Sequence, residues 1–157
     1  MSRNNSIISL TVALTILLMS CNRKTIYSHY EHTPHAGWEK NDTLQFDIPA
    51  IAKSGNYEEQ IALRVTSDYL FQEIYLIIEQ SSQNPITTRR DTLLCPLVSD
   101  NGAYQGKGTC YYQYVFPLHQ VTLEEGELLK VDVRHNMKRE ILHGIADVGV
   151  RLRRIPD

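Results

Sequence analysis

The chain has 157 residues, 22% of them charged, a formal net charge of −2 at pH 7 and three cysteines. That length fits one principal domain, and the lack of a basic surplus excludes a nucleic-acid binder held by phosphate contacts and a polybasic membrane patch. No internal repeat or low-complexity tract interrupts it.

The first element is a targeting segment. Arg3 supplies one positive charge, and residues 7–19 (IISLTVALTILLM) form an apolar run of thirteen, interrupted only by Ser9, Thr11 and Thr15. The run is long enough for a signal-peptide core and too short to span a bilayer interior of ~30 Å comfortably. It ends in Leu18-Met19-Ser20-Cys21. A small residue followed by cysteine at this point resembles the bacterial lipobox, so residues 1–20 are expected to be a lipoprotein signal. Cys21 is then the lipidation site, carrying a diacylglycerol on its thiol and an acyl group (a palmitate, for instance) on the new amino terminus. The alternative is an ordinary cleaved signal with Cys21 coincidental. With each buried CH₂ contributing ~0.8 kcal/mol, two or three acyl chains make an effectively permanent anchor.

Removal of the signal leaves 137 residues with 15 basic and 18 acidic side chains, a balance of −3. Residues 21–41 show no sustained period of 2 or 3.6, and Pro34 with Gly37 breaks any helix there, so this stretch reads as a lipid-anchored tether. It holds His29, His32 and His35 at intervals of three. In an extended chain neighbours in that series point to opposite faces, and in a helix the outer two lie about 600° apart. Neither geometry gathers three imidazoles, so solvent-exposed histidines are expected, with adventitious metal binding as the alternative; no metal site and no cofactor are assigned. Trp38, the single tryptophan, is expected to dock the end of the tether on the body, burying up to ~200 Å².

Residues 42–157 alternate. Leu44, Phe46 and Ile48 share one face, then Ile61, Leu63 and Val65, then Ile74, Leu76 and Ile78 with Tyr75 and Ile77 opposite, a strand covered on both sides. A fourth strand lies within 86–97, a fifth within 108–118, a sixth within 128–134 and a seventh within 145–155. In the sixth, Leu129, Val131 and Val133 face inward. Turn signals separate the runs, at Lys53-Ser54-Gly55-Asn56, Asn84-Pro85, Asp100-Asn101-Gly102 and Glu125-Gly126. The expected fold is all-β, an antiparallel β-sandwich of about seven or eight strands. Residues 136–143 (NMKREILH) are expected to add a helical turn or two, and Glu124, Glu125 and Glu127 to be solvated turn surface.

The two remaining cysteines suit a disulfide in an exported chain. If residues 88–97 and 107–118 pair antiparallel across the loop DNGAYQGKG, Cys95 faces Cys110 and Asp91 faces Tyr114. Such opposed residues sit ~4.5–5.5 Å apart, within disulfide range. The closed loop would stabilise by roughly 3 kcal/mol. Two buried free thiols are the alternative.

The stretch VRHNMKREILHGIADVGVRL, residues 133–152, resembles the C-terminal signature of the gliding-motility lipoprotein H (GldH) family of Bacteroidetes. The matching positions are Asn136, Met137, Leu142, Gly144, Ile145, Asp147, Val148, Gly149 and Arg151. In order upstream stand Tyr30, Trp38, Phe46, Arg64, Tyr69, Asp91, Thr92, Asp100, Gly102, Tyr104 and Gly106. The resemblance implies no enzymatic activity, and the residues agree: there is no G-x-S-x-G, no H-E-x-x-H and no phosphate-cradling glycine loop ahead of a helix. Gly102, Gly106 and Gly108 read as hairpin-loop glycines, Gly144 and Gly149 as turn and bulge positions. Asp147 and Arg151 lie ~13 Å apart along one strand face, too far to pair with each other, so each is expected to pair across strands or meet a partner. The resemblance implies a noncatalytic scaffold or interaction subunit of the gliding-motility machinery and its linked protein secretion. Its partners would be other envelope proteins, and it would be membrane-held through Cys21 and periplasm-facing. The alternative is a carbohydrate- or peptide-binding surface lipoprotein, since Tyr104, Tyr111, Tyr112 and Tyr114 crowd one hairpin; an exposed coplanar pair there would favour it.

Overall fold

The computed structural model describes residues 25–83 and 86–156. The expected signal, the lipidation at Cys21 and the Asn84-Pro85 turn lie outside the described residues. Ten strands run in chain order: β1 (Thr25–His32), β2 (Trp38–Glu39), β3 (Leu44–Ile48), β4 (Gly55–Val65), β5 (Glu73–Gln83), β6 (Ile86–Pro96), β7 (Tyr112–Leu123), β8 (Leu129–His135), β9 (Ile141–Leu142) and β10 (Ile145–Arg154). They form two four-stranded antiparallel sheets, β1-β10-β4-β7 and β3-β8-β5-β6, and a small β2-β9 pair. The all-β sandwich is therefore as the alternation predicts.

Strict period-2 patterning explains the core. In β8 the burial alternates along the whole strand, with Leu129, Val131 and Val133 inside. These meet Leu44, Phe46 and Ile48 of β3 on one side and the inner face of β5 on the other. The opposing layer comes from Ile61, Leu63 and Val65 of β4 and Val148, Val150 and Leu152 of β10. Each such side chain contributes roughly 1.5–3 kcal/mol when buried.

Three departures have physical causes. The segment read as tether enters the sandwich at Thr25, where β1 pairs with β10 along its length. Its inward positions carry Tyr27, His29 and Glu31 rather than aliphatics, because an edge strand needs to cover only a margin of the core, so no apolar period was visible. Residues 136–143 form no helix. The Asn136 N–H donates to the Tyr75 carbonyl at 2.7 Å, and Ile141–Leu142 pairs with Trp38–Glu39; these long-range bonds outweigh a single costly helical nucleus. Glu127 is buried, not solvated: one carboxylate oxygen accepts from the Ser82 hydroxyl at 2.7 Å and the other from the Glu124 N–H at 3.0 Å.

The disulfide expectation is overturned. Cys95 faces Ile74 across the β5–β6 hairpin, while β7 pairs with β4, so the two cysteine-bearing stretches belong to opposite sheets. Asp91 accordingly opposes Ile78, not Tyr114. The constant-sum argument fixes register only once the pairing is known, and the short β5–β6 connection claims β6 first. Both thiols are free, Cys95 buried and Cys110 exposed, and burial pushes the Cys95 thiol up to about 12. Native protein is expected to take up one equivalent of a thiol-alkylating reagent, at Cys110, with Cys95 reacting only after denaturation. Peptide mapping that finds a Cys95–Cys110 link, or equal labelling of both, would contradict this assignment.

The connections separate into two poles. One carries the start of β1, the end of β10, loop 49–54, the tip of the β5–β6 hairpin at Gln83 and Ile86, and turn 124–128. The opposite pole carries residues 33–37, 66–72, the crossover 97–111 and 136–144 with the β2-β9 pair.

Candidate functional site

The outward face of β10 builds a charged groove at this second pole. Alternation sends Val148, Val150 and Leu152 into the core and leaves Asp147, Gly149 and Arg151 outside. Antiparallel register then places His32 of β1 and Arg64 of β4 on either side of Asp147. The Arg64 guanidinium donates to Asp147 Oδ2 at 3.4 Å, and His32 Nδ1 contacts Asp147 Oδ1. Asp147 is only 4% exposed although it lies on the outer face. Thus Asp147 pairs across strands, as expected, and Arg151 stands four residues along, between Ser28 and Gln60.

One row further, Gly149 faces Tyr30. Gly149 has neither a positive φ nor a bulge at its own position; the register shift falls between Ile145 and Asp147. Its role is close approach: a Cβ there would sit 2.8 Å from the Tyr30 ring. That ring reaches the next strand, where the Arg64 guanidinium lies over it at 4.3 Å from the centroid. Gly144 is the turn glycine expected, with φ +86° and a virtual Cβ 2.2 Å from the Tyr69 nitrogen. The groove above these residues encloses about 690 Å³ and is lined by His32, His35, Arg64, Asp68, Tyr111, His143 and Asp147 among others.

The groove's chemistry is that of charge pairing. Asp147 Oδ2 accepts from Arg64 while Oδ1 lies against His32, and the two threonine hydroxyls at the rim, Thr33 and Thr66, contact the backbone carbonyls of Ile145 and Gly144. Neither hydroxyl is aimed at an imidazole as a nucleophile would be. His29 pairs with Glu31 at 2.8 Å and lies edge-on to Phe46, whereas His32 and His35 open toward the groove. The aromatic hairpin offers no coplanar platform: Tyr104 and Tyr112 stack on each other, 3.9 Å apart and 7° from parallel. Tyr114 is buried, and Tyr111 is half exposed at the groove edge.

The other signature residues brace this pole. Trp38 is fully buried; its indole N–H donates to the Asp42 carbonyl at 3.0 Å, and its ring meets His135 edge-on at 5.2 Å. His135 Nε2 donates to the Trp38 carbonyl while Nδ1 accepts from the Met137 N–H, and burial lowers the imidazole pKa. That pattern fixes the neutral Nε2–H tautomer. The Met137 sulfur receives the Tyr75 N–H. Gly102 closes a turn on the Ser99 carbonyl, and Gly106 lies directly under the Tyr114 ring. Asp91 sits apart, tying the edge strands of the two sheets together through His119 at 2.8 Å, with Arg89 at 3.1 Å.

Sequence alone picks out Tyr30 and His32 but not their place in the site, and it misses Glu59 altogether. Tyr30 and His32 fall on a constant-sum register with Gly149 and Asp147, a signal readable only once β1 is known to be a strand. Glu59 extends the Ile61-Leu63-Val65 alternation backwards into the core, 4% exposed, with neither carboxyl oxygen hydrogen-bonded.

Fold and groove together define a β-sandwich domain with an ion-paired cleft at one pole. The chain belongs to the GldH lipoprotein family, whose model matches residues 25–152. It is 28% identical over 152 residues to the gliding motility lipoprotein GldH of Flavobacterium johnsoniae, covering 87% of this chain and 89% of that one. A gliding motility lipoprotein GldH homolog of Christiangramia forsetii is 27% identical over 147 residues, covering 87% and 88%. Among solved structures, a family 35 carbohydrate binding module from Clostridium thermocellum is similar at a TM-score of 0.44 and 12% identity, over 82% of this chain and 99% of that one. That likeness is one of sandwich outline alone.

Proposed function

We propose that this chain is a lipid-anchored, noncatalytic subunit of the gliding-motility machinery and its linked secretion apparatus, and that it presents the Asp147–Arg64 groove to another envelope protein. Residues 1–20 are the lipoprotein signal, Cys21 carries the lipid, and the sandwich faces the periplasm. The observation that carries the partner-binding reading is convergence. Arg64 of β4 and the Gly144–Asp147 stretch, far apart in sequence and all within the family signature, meet His32 of β1 around one cleft, with Tyr30 stacked on the Arg64 guanidinium beside it and Asp147 Oδ2 paired with Arg64.

A photo-crosslinking residue at His35, in the native lipoprotein, tests this reading. It is expected to capture one envelope protein in stoichiometric yield, and the same residue at Thr88, exposed on β6, is expected to capture none. Asp147→Asn keeps the side-chain shape but removes the charge facing Arg64 and His32. It is expected to weaken capture while lowering stability by only about 1–3 kcal/mol. Equal capture from both positions, or an enzymatic turnover lost with Asp147 while folding and assembly persist, would overturn the reading.

A further inference from the structure

We propose that the pole bearing Thr25 rests against the bilayer, with the side chains of Ile26, Ile86 and Leu128 entering a zwitterionic phospholipid surface. The proposal rests on acylation of Cys21, and it sets how the domain stands on that anchor. Only Asn22, Arg23 and Lys24 separate Cys21 from β1. Four residue steps span at most ~14 Å even when fully extended. The first residue of the sandwich is therefore held within that distance of the acyl chains.

What the tether brings to the membrane is one pole, and that pole is apolar at its tips. Ile86 is 89% exposed, Ile26 44% and Leu128 42%. They come from three separate elements, the β5–β6 hairpin, the bulged start of β1 and the β7–β8 turn, yet all project at the same end. Pro49 and Ala50 of the adjoining loop are exposed beside them. This end carries Lys53, Arg153 and Arg154 against Glu124 and Glu125, with Arg23 and Lys24 just ahead of β1, so cations flank the apolar tips, and it is the tips that a zwitterionic surface takes in.

A side-on pose is disfavoured by the sheet faces. The outer face of the β3-β8-β5-β6 sheet carries an ion-pair lattice in which Glu79 receives both Arg90 and Arg134, and Lys130 faces Asp132. Pressing it onto a bilayer would desolvate those charges. From Thr25 to His32 the strand rises seven steps, roughly 23 Å, which sets the Asp147 groove away from the membrane and open to the periplasm.

Tryptophan quenching tests the pose on the full acylated lipoprotein purified from membranes. It is reconstituted into phosphatidylcholine vesicles whose acyl chains are brominated close to the headgroup. Ile86→Trp and Leu128→Trp are expected to lose most of their added emission. Leu70→Trp, 87% exposed at the opposite pole, and the wild type, whose Trp38 is buried at that pole, are expected to keep theirs. An acylated, vesicle-bound chain with Ile86→Trp and Leu128→Trp unquenched, or with Leu70→Trp quenched to the same degree, overturns the orientation alone. A chain whose intact mass shows an unmodified Cys21 and which stays in the supernatant overturns the anchor and the orientation together.

Discussion

Trp38→Ala is expected to destabilise the fold by about 3–5 kcal/mol, the range for deleting a large buried aromatic. The indole is fully buried, fills the space between the β2-β9 pair and the end of β8, and meets the His135 ring edge-on. Its removal leaves a cavity, frees the Asp42 carbonyl from the indole N–H and withdraws the ring that covers a neutral buried imidazole. Since domains of this size have a net stability of only ~5–15 kcal/mol, the loss is a large share of the total. Urea titration checks it. Trp38→Phe, which keeps a ring but not the N–H, is expected to recover most of the loss. An alanine variant within 1 kcal/mol of wild type, a margin set by ordinary surface substitutions of about ±0.5 kcal/mol, would show that the β2-β9 cap is not part of the cooperative unit.

The second large effect is a pH dependence centred on Glu59. Desolvation inside the sandwich raises its carboxyl to about 7; the Arg89 charge partly offsets this, and Asp91 adds to it. His119, its neighbour across the β4–β7 register, is held by Asp91. The folded state therefore binds the Glu59 proton more tightly than the unfolded chain does. Its contribution to stability is complete below the ordinary carboxylate value near 4.5 and is lost as pH rises through about 7. The span corresponds to about 3 kcal/mol, at 1.36 kcal/mol per unit. His135 acts with the opposite sign: its lowered pKa costs stability as pH falls below the ordinary imidazole range. The difference between wild type and Glu59→Gln isolates the glutamate, and this substitution is expected to be most stabilising on the alkaline side. A difference that stays constant across that range would refute a titrating Glu59.

Much of the fold was legible because both faces of a sheet obey one rule. Where a strand buries a full face against the opposite sheet, apolar residues recur at every second position, and β3, β4, β5, β8 and β10 carry that period openly. The same period separated Asp147, Gly149 and Arg151 from the core valines and showed that Asp147 could not pair with Arg151. β1 was hidden because an edge strand is half covered, and β2 and β9 because strands of two residues have no period at all.

By itself, then, the amino-acid sequence determined the all-β class, the inward residues of the main strands and the order of the family signature. Local alternation and turn chemistry act within a few residues and need no knowledge of partners. Only the tertiary structure decided which strands are neighbours. That choice sent β6 and β7 to opposite sheets, left Cys95 and Cys110 unpaired, buried Glu59 and Glu127, and drew His32, Arg64 and Asp147 into one cleft. Strand pairing is a competition among all edges of similar hydrophobicity, settled by packing across the whole core, and no single stretch of chain contains its outcome.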